Sequence, residues 1–448
     1  MSPETEPERE AAASPRALAI EALVRIDDGA YSHILLPELL RRQKLESRDR
    51  AFVTELVYGT VRMRRALDFL LGRVSSRKVE SLDPDVRAGL RLGAFQLVTG
   101  VSPHAAVGET VGVVQERARG FANGVLRALA RSGPQYPLPS GDDVSSIGIR
   151  TSHPDWIVQQ FIDDLGRDDA ISTLALDNEP PVVTLRVNTL RATVDDVADE
   201  LRALGIDVEP GKLDPAALRV RHTGDLGALD AMRSGRVTPQ DQASQAVVAA
   251  LDPQPGERIL DVASAPGGKA TASAERMRDT GLLLAADLHP ARVRTVMRSA
   301  RRCGLGVISP AVADGRSLPV TDASFDRVLL DAPCTGLGVL RRRPDARWRV
   351  QPRDATDLAE LQRALLVSAA RAVRPGGRLV YSVCTLTRIE TLGVDAFAAS
   401  ELPDFVALDP PGAPWRRHGR GALLVPSAAR TDGMFVLVLQ RSADAVPG

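Results

Sequence analysis

Four aspartates, Asp261, Asp287, Asp314 and Asp331, close four successive segments that read as buried strands. In an open α/β sheet, ligands bind beyond the carboxyl ends of the strands. One such aspartate is usually a helix cap or a turn former. Four in succession on one rim favour a nucleoside-bearing ligand. Asp287, one βα unit beyond the first, suits ribose hydroxyls, as carboxylates at that position do. Asp314, in Val312-Ala313-Asp314-Gly315-Arg316, suits an adenine amino group. Between Asp261 and Asp287 lies Ala263-Ser264-Ala265-Pro266-Gly267-Gly268-Lys269, a glycine turn that runs into a helix from Ala270. Glycines admit a ligand close to backbone N–H groups, and a helix N-terminus favours an anion. The turn is not G-x-G-x-x-G, and its spacing does not fit the triphosphate loop, so dinucleotides and nucleoside triphosphates are poor candidates. Arg292, just beyond Asp287, joins the candidate cofactor residues.

The chain has three cysteines, Cys303, Cys334 and Cys384. So few, without a C-x-x-C pair, exclude a disulfide framework and a zinc site, and no metal is expected. Each is by default a small buried hydrophobe, and Cys303 keeps that reading. Cys334 and Cys384 differ in context. They stand in Asp331-Ala332-Pro333-Cys334 and Tyr381-Ser382-Val383-Cys384-Thr385, each at the end of a strand-like run.

These residues need a sheet to hold them. Strands are predicted at 258–262, 281–287, 307–312, 327–331 and 377–382, with 422–425 and 434–440 as a closing pair. Helices such as 290–303 and 354–373 fall between them, which predicts a Rossmann-like, mostly parallel sheet over 239–441. Ahead of it, 149–238 reads as a small split βαβ-type module. Its Arg186 and Asn188 could touch RNA or be structural. Residues 15–133 have helical periodicity throughout and read as an all-α domain, residues 134–148 as a linker and 1–14 as a mobile tail. The helical stretch carries 19 Arg and Lys against 13 Asp and Glu. Arg41, Arg42, Arg48, Arg50, Arg62, Arg64 and Arg65 concentrate the excess, as a solvated face or a phosphate-contacting surface.

Lys and Arg total 57, as do Asp and Glu, so bulk charge names no partner. Hydrophobic content of 44% and charged content of 25% are those of globular protein. No apolar run reaches the length of a membrane span and no signal peptide is apparent. A cytoplasmic monomer is expected.

The two cysteine motifs, with Thr335-Gly336-Leu337-Gly338-Val339 after the first and Leu386 after the second, resemble the NOL1/NOP2/Sun family of S-adenosylmethionine-dependent RNA cytosine-C5 methyltransferases. The glycine loop at 265–269, Gln240-Asp241-Gln242-Ala243-Ser244 and Thr431-Asp432-Gly433-Met434-Phe435 resemble further motifs of that family. Gly120-Phe121-Ala122-Asn123-Gly124-Val125-Leu126-Arg127 resembles the NusB-like domain fused to its bacterial Sun (Fmu) branch, which modifies small-subunit ribosomal RNA. The resemblance implies that Cys384 attacks cytosine C6 and Cys334 assists release as a base. It places Asp331 by the ring and by the cofactor, and 263–269, Asp287, Arg292 and Asp314 around S-adenosylmethionine. RNA is the implied partner, its phosphates tracked by Arg341, Arg342, Arg343, Arg347, Arg349 and Arg353. A transfer RNA substrate, an inactive assembly factor and a base amino-group methyltransferase are the alternatives. The last typically carries Asn/Asp-Pro-Pro-Tyr/Phe where this chain has Asp331-Ala332-Pro333-Cys334. Where the family usually shows Glu-Glu-Asn after the nucleophile, Ile389-Glu390-Thr391 keeps one carboxylate.

Overall fold

The computed structural model describes residues 14–133, 136–221 and 224–444. The expected tail, apart from Ser14, lies outside them. The chain divides into two compact units, one running up to Val158 together with Arg343–Arg349, the other holding Gln159–Arg342 and everything from Val350 on.

The first unit is helical: α1 (Pro15–Asp27), α2 (Ser32–Arg42), α3 (Ser47–Arg62), α4 (Arg64–Gly72), α5 (Pro84–Val98), α6 (Pro103–Val113), α7 (Arg119–Arg131) and α8 (Val144–Thr151). Proline opens α1, α5 and α6 at a position where its missing N–H costs nothing. α5 is the central helix, with Leu90, Leu92 and Ala94 fully buried. The linker expected up to residue 148 is cut short by α8, whose first turn is capped by Asp143 accepting from the Ser146 N–H at 2.9 Å. Helix α9 (Asp155–Leu165) follows, and the chain passes into the second unit along it.

The second unit begins with α10 (Arg167–Leu176) and then the small module: β1 (Val183–Val187), α11 (Val194–Ala203), β2 (Asp207–Pro210), β3 (Ala217–Arg221), α12 (Asp230–Arg233) and β4 (Val237–Pro239). Its sheet is antiparallel in the order β2-β3-β1-β4, a ferredoxin-like arrangement.

After α13 (Gln242–Leu251) come β5 (Arg258–Asp261), α14 (Gly268–Arg276), β6 (Leu282–Asp287), α15 (Pro290–Cys303), β7 (Ile308–Val312) and β8 (Phe325–Asp331). The short α16 (Ala346–Arg349) belongs to the helical unit. α17 (Pro352–Ala372), β9 (Val373–Val383), α18 (Leu392–Glu401), β10 (Phe405–Ala407), β11 (Arg416–His418), β12 (Gly421–Leu424), α19 (Pro426–Ala429) and β13 (Met434–Arg441) complete the chain. The large sheet runs β11-β12-β13-β9-β8-β5-β6-β7. Strands β5 to β9 are parallel to their neighbours, while β13 is antiparallel to β9. Ile259, Leu260, Val328, Leu329, Leu330, Leu379 and Val380 are fully buried, as the near-continuous apolar runs of a parallel sheet covered on both faces require. The expected Rossmann-like sheet is therefore present; Asp261, Asp287 and Asp331 end strands, and Asp314 stands two residues beyond the end of β7.

Candidate active site

The glycine loop follows β5. Gly267 has φ +101°, a conformation that side chains resist, and it caps α14. A Cβ there would also lie 3.2 Å from the Val296 Cα. The turn is closed by Gly267 N–H donating to the Ser264 carbonyl at 2.8 Å, and Ser264 N–H donates to the Ala286 carbonyl of β6 at 2.8 Å.

The loop is held from below by Arg186. Rather than facing RNA, Arg186 is buried, and its guanidinium donates to the Gly268 carbonyl at 2.8 Å, to Thr271 Oγ1 at 2.9 Å and to both oxygens of Glu275 at 2.9 Å. Asn188 is buried too and donates to the Gly235 and Cys303 carbonyls. Both are structural, because each charge or amide finds its partners inside the protein.

Among the aspartates, Asp287 is buried. It accepts from the Ala265 N–H at 3.3 Å and the His289 N–H at 3.1 Å, and pairs with the exposed Arg292 at 3.4 Å. Arg292 also donates to the Ala265 carbonyl. Asp314 is half-exposed and gripped by Arg316, whose hydrogen bonds hold its carboxyl down to about 2. Asp261 is 2% exposed, and neither of its oxygens has a partner within hydrogen-bonding distance. Burial pushes its carboxyl up to about 7, an effect that nearby Ser264 and Lys269 only partly offset. The Ser264 hydroxyl is likewise buried and unpartnered.

Asp331 ends β8. It accepts from Lys269 Nζ at 2.6 Å and from Ser382 Oγ at 2.8 Å. Lys269 thus reaches from the glycine loop to the Asp331 carboxylate. Burial disfavours this ammonium, but Asp331 first, then Cys384 and Asp261, hold its pKa above the ordinary lysine value.

The two cysteines, 50 residues apart in sequence, face each other with their Sγ atoms 3.3 Å apart. Both are half-buried, whereas Cys303 is buried. Gly338 sets the spacing of their loops: its N–H donates to the Cys384 carbonyl at 3.0 Å, and its carbonyl accepts from the Gly433 N–H at 2.8 Å. A Cβ on Gly338 would lie 2.4 Å from the Gly433 oxygen and 2.9 Å from the Cys384 oxygen. The Cys334 thiol is pushed well up, by its hydrogen bond to Cys384, by burial, and by the charges of Cys384, Glu390 and Asp331.

The arginines after Cys334 do not form the expected phosphate track. Arg341 is buried and donates to the Glu179 and Pro180 carbonyls. Arg342 pairs with Asp432 at 2.9 Å and with Asp241 at 2.5 Å. Within the helical unit, Arg347 is fully buried on the Arg62 and Ser152 carbonyls, and Arg349 pairs with Asp345 at 2.7 Å. Only Arg343 and Arg353 of the six are exposed. Of the seven helical-unit arginines, Arg62 is buried, Arg65 is tied to the His153 carbonyl and Asp155, and half-buried Arg50 and Arg64 reach the Leu40 carbonyl and Asp27, leaving Arg41, Arg42 and Arg48 exposed.

Residues 248–440 match the family described as 16S rRNA methyltransferase RsmB/F, residues 13–131 the NusB family, and residues 153–226 the ferredoxin-like domain of RsmF/B-like methyltransferases. The ribosomal RNA small subunit methyltransferase B of Thermus thermophilus is 35% identical, over 96% of this chain and 98% of its own. A Bacillus subtilis protein, described as a probable enzyme of that name, is 35% identical over 96% and 99%. The crystal structure of PH0851 superposes with a TM-score of 0.82 at 26% identity, over 97% of this chain and 100% of that one. The sheet, its rim and these matches define an S-adenosylmethionine-dependent methyltransferase. Its helical and ferredoxin-like additions narrow this further. The chain belongs to the ribosomal RNA small subunit methyltransferase B (RsmB/Sun) family.

The residues present fit the cofactor. A buried carboxylate and a buried hydroxyl without partners, beside a glycine turn and a second rim carboxylate, are groups that an ammonium- and ribose-bearing ligand satisfies.

Proposed function

We propose that the chain methylates C5 of a cytidine in RNA, with small-subunit ribosomal RNA as substrate, through a covalent bond between Cys384 and C6. The observation that carries this reading is the pair of thiols 3.3 Å apart beside the Lys269–Asp331 ion pair. Amino-group methylation of a base has no use for two facing cysteines. The names of its relatives, ribosomal RNA small subunit methyltransferases, support the substrate.

S-adenosylmethionine supplies an electrophilic methyl group on a sulfonium. The Asp287 carboxylate would hold its ribose hydroxyls, Arg292 and the 263–269 loop would flank it, Asp314 would take the adenine amino group, and Asp261 with Ser264 would receive the methionine ammonium. Cytosine C5 is a poor nucleophile until C6 carries an electron donor. The Cys384 thiolate adds to C6, which makes C5 enamine-like, while the Asp331 carboxylate accepts from the N4 amino group and orients the base. Lys269 holds Asp331 in place and favours the thiolate electrostatically. Once Cys384 is bonded to C6 it is neutral, so the largest influence that raises the Cys334 pKa is gone. Cys334 then gives up its own proton to solvent; once C5 carries the methyl group, the Cys334 thiolate takes the C5 proton as the Cys384 thiolate is expelled from C6. The base reaches this pocket only from a single strand or flipped out of a helix.

A denaturing gel with a radiolabelled methyl donor tests the roles. Cys384→Ser is expected to abolish methyl transfer and to form no adduct. Cys334→Ala is expected to accumulate labelled enzyme on RNA as a complex that survives denaturation. Folded Cys384→Ser that methylates at the wild-type rate refutes the assignment, and trapping in Cys384→Ser instead reverses the roles.

A further inference from the structure

Two chemically identical thiols within hydrogen-bonding distance raise a problem that the pair does not solve by itself: which of them ionises. Like charges that close cannot both form readily, so the pair keeps at least one proton, and attack on C6 requires that Cys384 be the one that ionises while Cys334 keeps its proton. Something must break the symmetry.

Glu390 is fully buried and lies between the two cysteine loops. Its Oε1 accepts from the backbone N–H of Thr335, the residue after Cys334, at 2.9 Å and from Gln362 Nε2 at 3.0 Å. Its Oε2 accepts from Thr335 Oγ1 at 2.6 Å and Thr387 Oγ1 at 2.8 Å. Thr385, the residue after Cys384, is held less directly: its hydroxyl lies 2.7 Å from that of Thr335 and 3.2 Å from the carboxylate. Gln362 Nε2 also donates to the Pro333 carbonyl, and Tyr381 Oη reaches Gln362 Oε1. Every strong partner is a donor, which suits an acceptor-only carboxylate.

We propose that Glu390 is a positioning residue that assigns the shared proton to Cys334, by anchoring a buried negative charge to the Cys334–Thr335 peptide, opposite the Lys269 ammonium on the Cys384 side. This rests on the reading of Cys384 as nucleophile. The charged and titratable groups near the pair are Glu390, Asp331 and Tyr381, which interact with Cys334, and Lys269, itself paired with Asp331 and close to Asp261, which interacts with Cys384; Glu390 also reaches the Cys384 side, through the longer Thr385 bond. The lone carboxylate of Ile389-Glu390-Thr391 is thus the one with a full set of partners.

Iodoacetamide alkylation of the full-length apo protein, with each cysteine peptide quantified by mass spectrometry between pH 6 and 10, tests this without RNA or methyl donor. Buried Cys303 serves as the unreactive reference. In wild type, Cys384 is expected to react at least about tenfold faster than Cys334, the contrast that a one-unit difference in pKa produces. Glu390→Gln, matched in shape, is expected to bring the two rates within about threefold by lowering the Cys334 pKa. Thr335→Val, which keeps the charge but loses one hydroxyl bond, is expected to keep the contrast. A Glu390→Gln protein with wild-type selectivity overturns the proposal. If that variant does not fold, the wild-type profiles decide: Cys334 titrating at or below the pH at which Cys384 does overturns it equally. The companion gel separates the two failures. Adduct chemistry at Cys384 with unchanged selectivity in Glu390→Gln sinks only the role of Glu390, whereas methylation by Cys384→Ser sinks the underlying reading.

Discussion

Asp261 should make the apo protein lose stability as pH rises, the reverse of the usual aspartate. Its carboxyl is raised from 3.8 to about 7 because burial penalises the charge more than nearby Ser264 and Lys269 relieve it. Below the unfolded value of 3.8, both folded and unfolded chains carry the proton and Asp261 contributes no difference with pH. Between there and about 7 the unfolded chain ionises freely while the folded one stays protonated, so unfolding gains and stability falls. Above about 7 both are ionised and the loss is complete. At about 1.36 kcal/mol per tenfold change in proton affinity, the loss reaches about 4 kcal/mol, with no discount for solvent at a side chain so deeply buried. Asp261→Asn is neutral at every pH and should lack this slope. Urea denaturation of both proteins at pH 4, 6 and 8, without cofactor, reads the difference directly. Relative to wild type, Asp261→Asn is expected to gain about 4 kcal/mol between pH 4 and pH 8. A stability difference that stays constant with pH would refute a neutral Asp261 in the folded apo state. Wild type is also expected to bind S-adenosylmethionine more weakly below about pH 7, where Asp261, the proposed acceptor for its ammonium, is protonated.

Asp287→Ala should weaken S-adenosylmethionine by roughly 1.5–3 kcal/mol, the worth of hydrogen bonds to a charged acceptor, and unchanged affinity by calorimetry would remove Asp287 from the site. Arg186→Met leaves Glu275 buried without its cation and should cost about 3–5 kcal/mol, of which Arg186→Met/Glu275→Leu should recover most; equal losses in the two proteins would deny the pair its importance. Gly338→Ala forces a methyl against two backbone oxygens and should cost about 1–3 kcal/mol, with methylation falling further than the melting temperature suggests. Full activity in a folded Gly338→Ala protein would mean that the spacing of the cysteine loops is not critical.

The rim is readable in the sequence because strand ends and glycine turns leave local signatures: Asp261, Asp287 and Asp331 end β5, β6 and β8 as the apolar runs before them imply. The helical domain and the sheet follow from periodicity. Charge is where sequence reading fails. Arg186, Arg341, Arg342 and Arg347 look in sequence like any basic residue, and only distant partners such as Glu275, Asp241, Asp432 and the Ser152 carbonyl tie them into the protein. Helix α8 stands where a linker is expected, although Asp143 and Ser146 carry the spacing of an N-cap. Glu390 carries a signal in its motif, but its role depends on Thr335 and Gln362, 55 and 28 residues away, which no local pattern announces.

The seven residues Arg343–Arg349 carry a consequence for biosynthesis. They belong to the helical unit: Asp345 accepts from Ser32 Oγ at 2.5 Å, Trp348 Nε1 donates to the Val61 carbonyl at 2.8 Å, and Arg347 sits on the Arg62 and Ser152 carbonyls. A ribosome that has made the chain up to Val158 has therefore not yet made that unit's last piece. Domains usually fold as they emerge, N-terminal first. Here the first unit to emerge must wait until nearly two hundred further residues have been translated before its interior is complete. For the same reason, a fragment cut after Val158 is missing part of its own core, and its behaviour in isolation is not that of the unit in the intact chain.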